Sequence, residues 1–338
     1  MSEFFHFGAG AALAPDPLAC LDPVMEARGV ALSAPAFHSA VKVAFFAAGA
    51  PFYDEVSRAL WESLPEQFQR LASDFLSQYA PVSAKMSALD VGCGTGMSAE
   101  LVLRTRFGAF VKQVDLLDPS QEMLDICGTR DSLRAIRHRP IRGEMRDLPP
   151  RYHYDMIIAG CVLQHVPDLP EFLRQVSLRQ KPGGIFLHAQ DPNSDALNDY
   201  ERLGRVERLA RSLRIRPSTL LKRLSAVGPW SRRRGRAVQF DRINEQLIQA
   251  GVIESAMTEA EIRMIADLPA HDGRGVSLRQ LETLMPDYEL VSARSYAFFG
   301  ELVSDLPPAY RSQERALISE RAMNGGQIAG IWIKRARA

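Results

Sequence analysis

The chain has 338 residues, enough to bury a substantial core in one large domain or two modest ones. At 46% hydrophobic and 24% charged residues, its composition excludes a disordered chain, a collagen-like repeat or an extended coiled coil. A net charge of +1 excludes a global field that would draw it to nucleic acid or membrane, so any such attraction must come from a local patch.

The N-terminus carries Glu3 but no basic segment, and Pro15, Asp16 and Pro17 stand where a secretory core would be apolar, so no signal peptide is expected. The apolar stretch Val43 to Tyr53 is about half the length a membrane span requires. Cys20, Cys93, Cys127 and Cys161 are far apart and form no CxxC pair, which indicates neither a disulfide framework nor a zinc site. A soluble, cytoplasmic protein is the expectation. The first 80 or so residues read as helical, and "FYDEVSRALWESLPEQFQRLASDFL" is their clearest amphipathic stretch.

From Ser87 to Gln190, short apolar runs alternate with amphipathic patterns, as in stacked βαβ units around a parallel sheet. Strands are expected at Ala88 to Val91, Val111 to Leu117, Met156 to Ala159 and Ile185 to Ala189, each apolar enough to be covered on both faces. Before the last of these, Asp168 and Glu171 form a capping box for a helix whose inward stripe is Phe172, Leu173 and Val176. Pro182, Gly183 and Gly184 are its expected stop. After Asp191 the pattern becomes a long, arginine-rich helical block without a convincing strand. A helix in "SLRQLETLM", a strand in "YELVSARSYAFF", a helix around Arg311 to Met323 and a final strand "QIAGIWIKRAR" then resume the alternation.

The first strand runs into Gly92, Gly94 and Gly96, a strand–loop–helix junction where backbone can approach a ligand at the carboxyl edge of the sheet. Met97 occupies the place of the third dinucleotide glycine, and no Gly-Lys-Ser/Thr follows, so neither a dinucleotide fingerprint nor a P-loop fits. Asp118 ends the second strand 22 residues past Gly96, the spacing at which an acid can accept from two ribose hydroxyls. It could equally serve as the N-cap of "SQEMLDIC".

With these residues in view, the chain resembles the class I S-adenosylmethionine-dependent methyltransferases that act on small molecules. "LDVGCGTG", "LLDPSQEML", "GEMRDLP", "YDMIIAGCVLQHVPD" and "KPGGIFLHAQ" are similar to five family motifs in order across Ala88 to Gln190. The resemblance implies a Rossmann-like, doubly wound seven-stranded α/β sheet, mostly parallel with an antiparallel last strand, plus N-terminal helices and a helical insertion. It also implies a helical cap over residues 1–82, a core made of 83–192 and 276–338, and a substrate lid over 193–275.

The implied cofactor is S-adenosylmethionine. Gly92 and Gly94 would lie along its methionine and ribose, Asp90 would help hold its ammonium, and Asp118 would take the ribose hydroxyls. Met123 would pack on adenine, Glu144 would read the adenine amino group with Met145 alongside, and Cys161 would face the sulfonium. Tyr53 would close over the cofactor, or else pack between helices. Glu144 departs from the family's usual aspartate, and could instead be a surface acid paired with Arg142 or Arg146.

A sulfonium already activates its methyl group, so positioning an in-line nucleophile supplies much of the acceleration, and the chemistry requires no metal. A base is needed only for a hydroxyl or protonated-amine acceptor. Among the seven histidines, His165 after the fourth strand is the candidate, against a structural role at a helix entry. His188 reads as a core residue, while His38 and His271 lie in segments that could cover the site. Asp191 could contact substrate or simply make the turn before Pro192.

The insertion places 11 arginines and one lysine against two glutamates between Glu201 and Arg236. Arg202, Arg205, Arg208 and Arg211 share one face, which could be solvated or could meet an anionic or carrier-bound partner. Tyr200 and Trp230 are nearly its only aromatics, which disfavours nucleic acid. The expected function is methyl transfer to an oxygen, nitrogen or carbon of a metabolite. The alternatives are a catalytically silent regulatory protein of the same fold, or an enzyme acting on RNA, protein or a carrier-bound substrate. "AGCVLQ" after the fourth strand lacks the Asn/Asp-Pro-Pro-aromatic signature of amino methylation, which disfavours the RNA and protein versions.

Overall fold

The computed structural model describes residues 18–81, 83–196, 240–268, 275–299 and 306–336. The arginine-rich segment 201–236 and His271 lie outside the described residues, so their expected roles are not located. In chain order the elements are α1 (Asp22–Ala27), α2 (Ala34–Gly49), α3 (Tyr53–Val56), α4 (Arg58–Glu62), α5 (Leu64–Gln78), β1 (Met86–Val91) and α6 (Met97–Leu103). Then come β2 (Val111–Asp118), α7 (Gln121–Cys127), α8 (Asp131–Arg134), β3 (Arg137–Arg142), β4 (Tyr154–Gly160), α9 (Leu169–Arg179) and β5 (Gln180–Pro192). The C-terminal part adds α10 (Phe240–Gln249), α11 (Glu259–Asp267), α12 (Leu278–Leu284), β6 (Tyr288–Tyr296), α13 (Pro308–Ser319) and β7 (Gln327–Lys334).

The seven strands form one sheet in the order β3-β2-β1-β4-β5-β7-β6. β1 to β5 run parallel, and β7 is antiparallel to both β5 and β6. Strand order reverses between β1 and β4, so the crevice of this open sheet opens beyond the carboxyl ends of those strands. Alternate residues feed opposite faces. Ala88, Ile158 and Leu187 join the cluster containing Phe68, Phe75 and Tyr310, whereas Leu89, Ile157 and Phe186 join the one containing Phe172, Leu281 and Trp332. Covering on both faces is why β1 and β4 are buried throughout and read as largely apolar runs.

β3 was not legible as a strand. Its sequence "RHRPIR" is polar, and Pro140 removes a donor, both tolerable because this strand is the sheet's edge. The amphipathic stretch from Phe52 to Leu76 is divided at Ser57 and Ser63 into α3, α4 and α5, with Pro65 pre-set for the first turn of α5. Helix α5 buries Leu64, Phe68, Leu71 and Phe75 against the sheet. Helix α9 starts on Asp168, whose side chain accepts from the Glu171 N–H at 3.0 Å, but Glu171 turns away to Arg174 and Gln175. It ends at Arg179, before the expected Pro-Gly-Gly stop, because Gln180 has already become extended.

A third cluster lies apart from the sheet. Phe37, Val41 and Phe45 of α2 pack with Ile243 and Leu247 of α10 and with Ile262 and Ile265 of α11. Two segments far apart in sequence thus form one helical layer. No helix among the described residues is long and apolar enough to cross a membrane.

Candidate functional site

A cavity of about 540 Å³ opens at the carboxyl ends of β1, β2 and β4 and is roofed by α2 and α3. Its floor is the loop after β1. Gly92, Gly94 and Gly96 adopt φ of +59°, +52° and +82°, the left-handed region where a side chain is strained. They are not equivalent. A Cβ on Gly96 would lie 2.3 Å from Cys127 Sγ, so that glycine serves packing between α6 and α7. A Cβ on Gly94 would meet nothing within 4 Å, because it would enter the cavity.

Asp118 is held beside this loop. Its Oδ2 accepts from the Gly94 N–H and its Oδ1 from the Ser120 N–H, both at 2.8 Å. The N-cap of α7 is Ser120, whose hydroxyl accepts from Met123 N–H, so Asp118 is not the cap. Burial raises the Asp118 pKa to about 6 despite the two N–H donors. A carboxylate offers about four lone-pair sites, so both oxygens keep room for hydroxyl donors. Met123 and Met145, both buried, and Glu144 line the same end. Glu144 Oε2 pairs with Arg146 at 3.0 Å, the surface pairing that was the alternative for it, yet it remains on the cavity wall.

Cys161 and His165 line the opposite end. Cys161, at φ +61°, donates its N–H to Ala189 O at 2.7 Å, and its sulfur receives Gln164 Nε2 at 3.1 Å. His165 ends a short turn after β4, edge-on to Phe46 at 5.7 Å. Tyr53 completes the roof between Phe46 and Trp61.

Two residues expected near the ligands are absent from the cavity wall. Asp90 is fully buried behind the glycine loop and is not on the cavity wall; its Oδ2 accepts from Ala99 N–H at 3.0 Å, and its Oδ1 has no partner among the described residues. Asp191 is also fully buried, accepting from Leu163 N–H at 2.8 Å and facing His188 Nδ1 at 3.4 Å. It therefore anchors the turn that carries His165 instead of meeting an acceptor. His188, stacked on Phe186, is the core histidine the sequence suggested. His38 is buried against Leu268 O at 3.0 Å, and burial with the nearby Lys42 lowers its pKa to about 4, so it is neutral.

Two features escaped the sequence reading. Lys42 is buried on the cavity wall, with Nζ 3.2 Å from His165 Nδ1. The available signal was a lysine four residues after His38 on an otherwise apolar helix, since lysine is rarely buried without partners. The second is a latch. Asp54 accepts from Thr95 Oγ1 at 2.6 Å and from Arg130 at 2.5 Å, and Arg130 also binds Glu100 at 2.7 Å. This ties the segment bearing Tyr53 to the glycine loop. Asp54→Asn is expected to weaken S-adenosylhomocysteine binding by about threefold, the value of a partly exposed ion pair, in calorimetry.

A bare glycine loop, a buried acid at the tip of the neighbouring strand and this strand order define the class I S-adenosylmethionine-dependent methyltransferase architecture. The chain belongs to the methyltransferase domain family, whose match spans residues 64–250. It is 30% identical over 161 residues to the 2-phytyl-1,4-naphtoquinone methyltransferase of Synechococcus elongatus, covering 46% of this chain and 66% of that one. It is 30% identical over 115 residues to a ubiquinone biosynthesis O-methyltransferase of Neisseria meningitidis, covering 34% and 48%. The chain thus spans 48% to 66% of the length of these curated relatives. Among solved structures, the plantazolicin methyltransferase BpumL with S-adenosylhomocysteine aligns with a TM-score of 0.44 at 13% identity, over 88% of this chain and 96% of that one.

Proposed function

We propose that this protein transfers a methyl group from S-adenosylmethionine to a small-molecule acceptor. The observation that carries this reading is Gly94: a strained glycine whose missing side chain leaves room in a cavity, tied by its N–H to a buried Asp118. Gly92 and Gly94 would receive the amino-acid and ribose portions, Asp118 the ribose hydroxyls, and Met123, Glu144 and Met145 the adenine. Tyr53 would cover the cofactor, and Cys161 would face its sulfonium. When bound, the cofactor supplies a sulfonium-activated methyl group. The protein's part is to hold the acceptor in line and to exclude water with the roof made by α2, α3 and Trp61.

The name of the ubiquinone biosynthesis O-methyltransferase relative favours an oxygen acceptor, while the name of the naphtoquinone methyltransferase gives no acceptor atom. A catalytically silent regulator is the second reading, disfavoured because Gly92, Gly94 and Asp118 are all present. We assign the substrate lid to the insertion 193–275, of which α10 and α11 pack against α2 of the cavity roof, and a cytoplasmic location to the protein. Calorimetry tests the reading directly. S-adenosylhomocysteine should bind the intact protein, and Asp118→Ala should weaken it by about tenfold or more, as for one lost charge-assisted contact. Absence of binding by the intact protein would overturn it.

A further inference from the structure

The acceptor end of the cavity contains a charge arrangement that methyl transfer alone does not explain. Lys42 is 5% exposed, although lysine ordinarily keeps its ammonium in water. Its Nζ reaches Leu268 O at 2.5 Å, at the C-terminal end of α11, and His165 Nδ1 at 3.2 Å. The helix end favours a cation there, and Asp267 adds to that, as does Cys161 from the end of β4. His38, one turn earlier on α2, shares the Leu268 carbonyl and stays neutral. Burial outweighs the favourable charges and lowers the Lys42 pKa to about 8.

The hydrogen-bond chemistry of this pair is restrictive. An ammonium has three donors and no acceptor, so a charged Lys42 must donate to Nδ1, which leaves the proton of neutral His165 on Nε2. A neutral amine can still donate to Leu268 O while its lone pair accepts from Nδ1–H, which leaves Nε2 without a proton, the basic form of that nitrogen. The protonation state of one residue thereby selects the tautomer of the other.

We propose that Lys42 is a positioning residue that sets the tautomer of His165 and, through it, receives the proton of a phenolic or enolic hydroxyl acceptor. This rests on the methyltransferase reading above and gives it an acceptor class. The balance is simple. The oxygen–carbon bond forms as the donor's carbon–sulfur bond breaks with its electron pair staying on sulfur. The hydroxyl proton passes to Nε2 of His165, and the Nδ1 proton passes to the Lys42 amine, which becomes the ammonium. A hydroxyl of this kind suits the site because its proton must leave during transfer, and a base poised near neutrality is the most effective recipient. Phe46, edge-on to His165, supplies a flat apolar wall for an unsaturated ring at this end.

The test is the tautomer itself, read by long-range proton–nitrogen NMR of histidine-labelled protein with His165 assigned by His165→Gln. In the intact protein, His165 should carry its proton on Nε2 at pH 7 and shift toward the Nδ1–H form as pH passes through about 8. Lys42→Arg, which stays charged, should hold the Nε2–H form throughout. Lys42→Met should abolish the step and let His165 titrate near the ordinary value of about 6.5. Ordinary titration of His165 in the intact protein, or an unchanged step near pH 8 in Lys42→Arg, would overturn the proposal. Near-ultraviolet circular dichroism checks that each variant is folded. Binding of S-adenosylhomocysteine by the intact protein tests the underlying reading separately, so the two can fail independently.

Discussion

Gly96→Ala is expected to destabilise the protein by about 3 kcal/mol or more, whereas Gly94→Ala, two residues away, should cost only about 1 kcal/mol. Both residues have positive φ, so both variants carry the left-handed strain. Only at Gly96 does the new methyl group collide, 2.3 Å from Cys127 Sγ and 3.0 Å from Leu133 Cδ1, two fully buried atoms that cannot retreat. At Gly94 the methyl enters the cavity, so the loss should appear in ligand affinity: S-adenosylhomocysteine binding weakened by about tenfold or more. Urea unfolding and calorimetry on the two variants separate these outcomes. A stable Gly96→Ala protein would refute the packing role, and unchanged binding by Gly94→Ala would refute the site.

The second large effect belongs to Asp90 and is a pH dependence. Burial, with the nearby Asp118 charge adding to it, raises the Asp90 pKa to about 8, against opposition from the Ala99 N–H and Arg130. In the unfolded chain the same group ionises near the usual value of about 3.9. Between those values the unfolded state has released the proton that the folded state retains. The Asp90 contribution to stability is therefore fully present below about pH 4 and is lost as pH rises to about 8, by on the order of 1 kcal/mol per pH unit. Asp118 contributes with the same sign between about 4 and about 6. Asp90→Asn keeps an acceptor for Ala99 N–H but does not titrate. At pH 8 it should be more stable than the natural chain by about 4 kcal/mol, with the two converging near pH 4. Parallel stability profiles for the two proteins would refute a protonated Asp90.

Asp90 and Asp118 also mark the limit of what spacing conveys. Both are acids at the ends of adjacent strands, and both were expected to touch the cofactor. Their separation in role depends on side-chain direction: Asp118 closes β2 facing the crevice, while Asp90 points beneath the loop to the first turn of α6. The same ambiguity affected Asp191, where the end of β5 was legible but not the turn toward Leu163.

The sequence by itself determined the parallel core, the glycine loop and the strand-end residues of the cavity wall, because these depend on local patterning. Apolar runs covered on both faces make central strands, and Gly92, Gly94 and Asp118 follow from position at strand ends. Only the tertiary structure decided that α2 meets α10 and α11, that Arg130 latches Asp54, and that Lys42 lies against His165. These contacts join residues 76, 123 and more positions apart. They arise from helices whose docking depends on shape and burial, and no short-range periodicity encodes which distant surface a helix face will find.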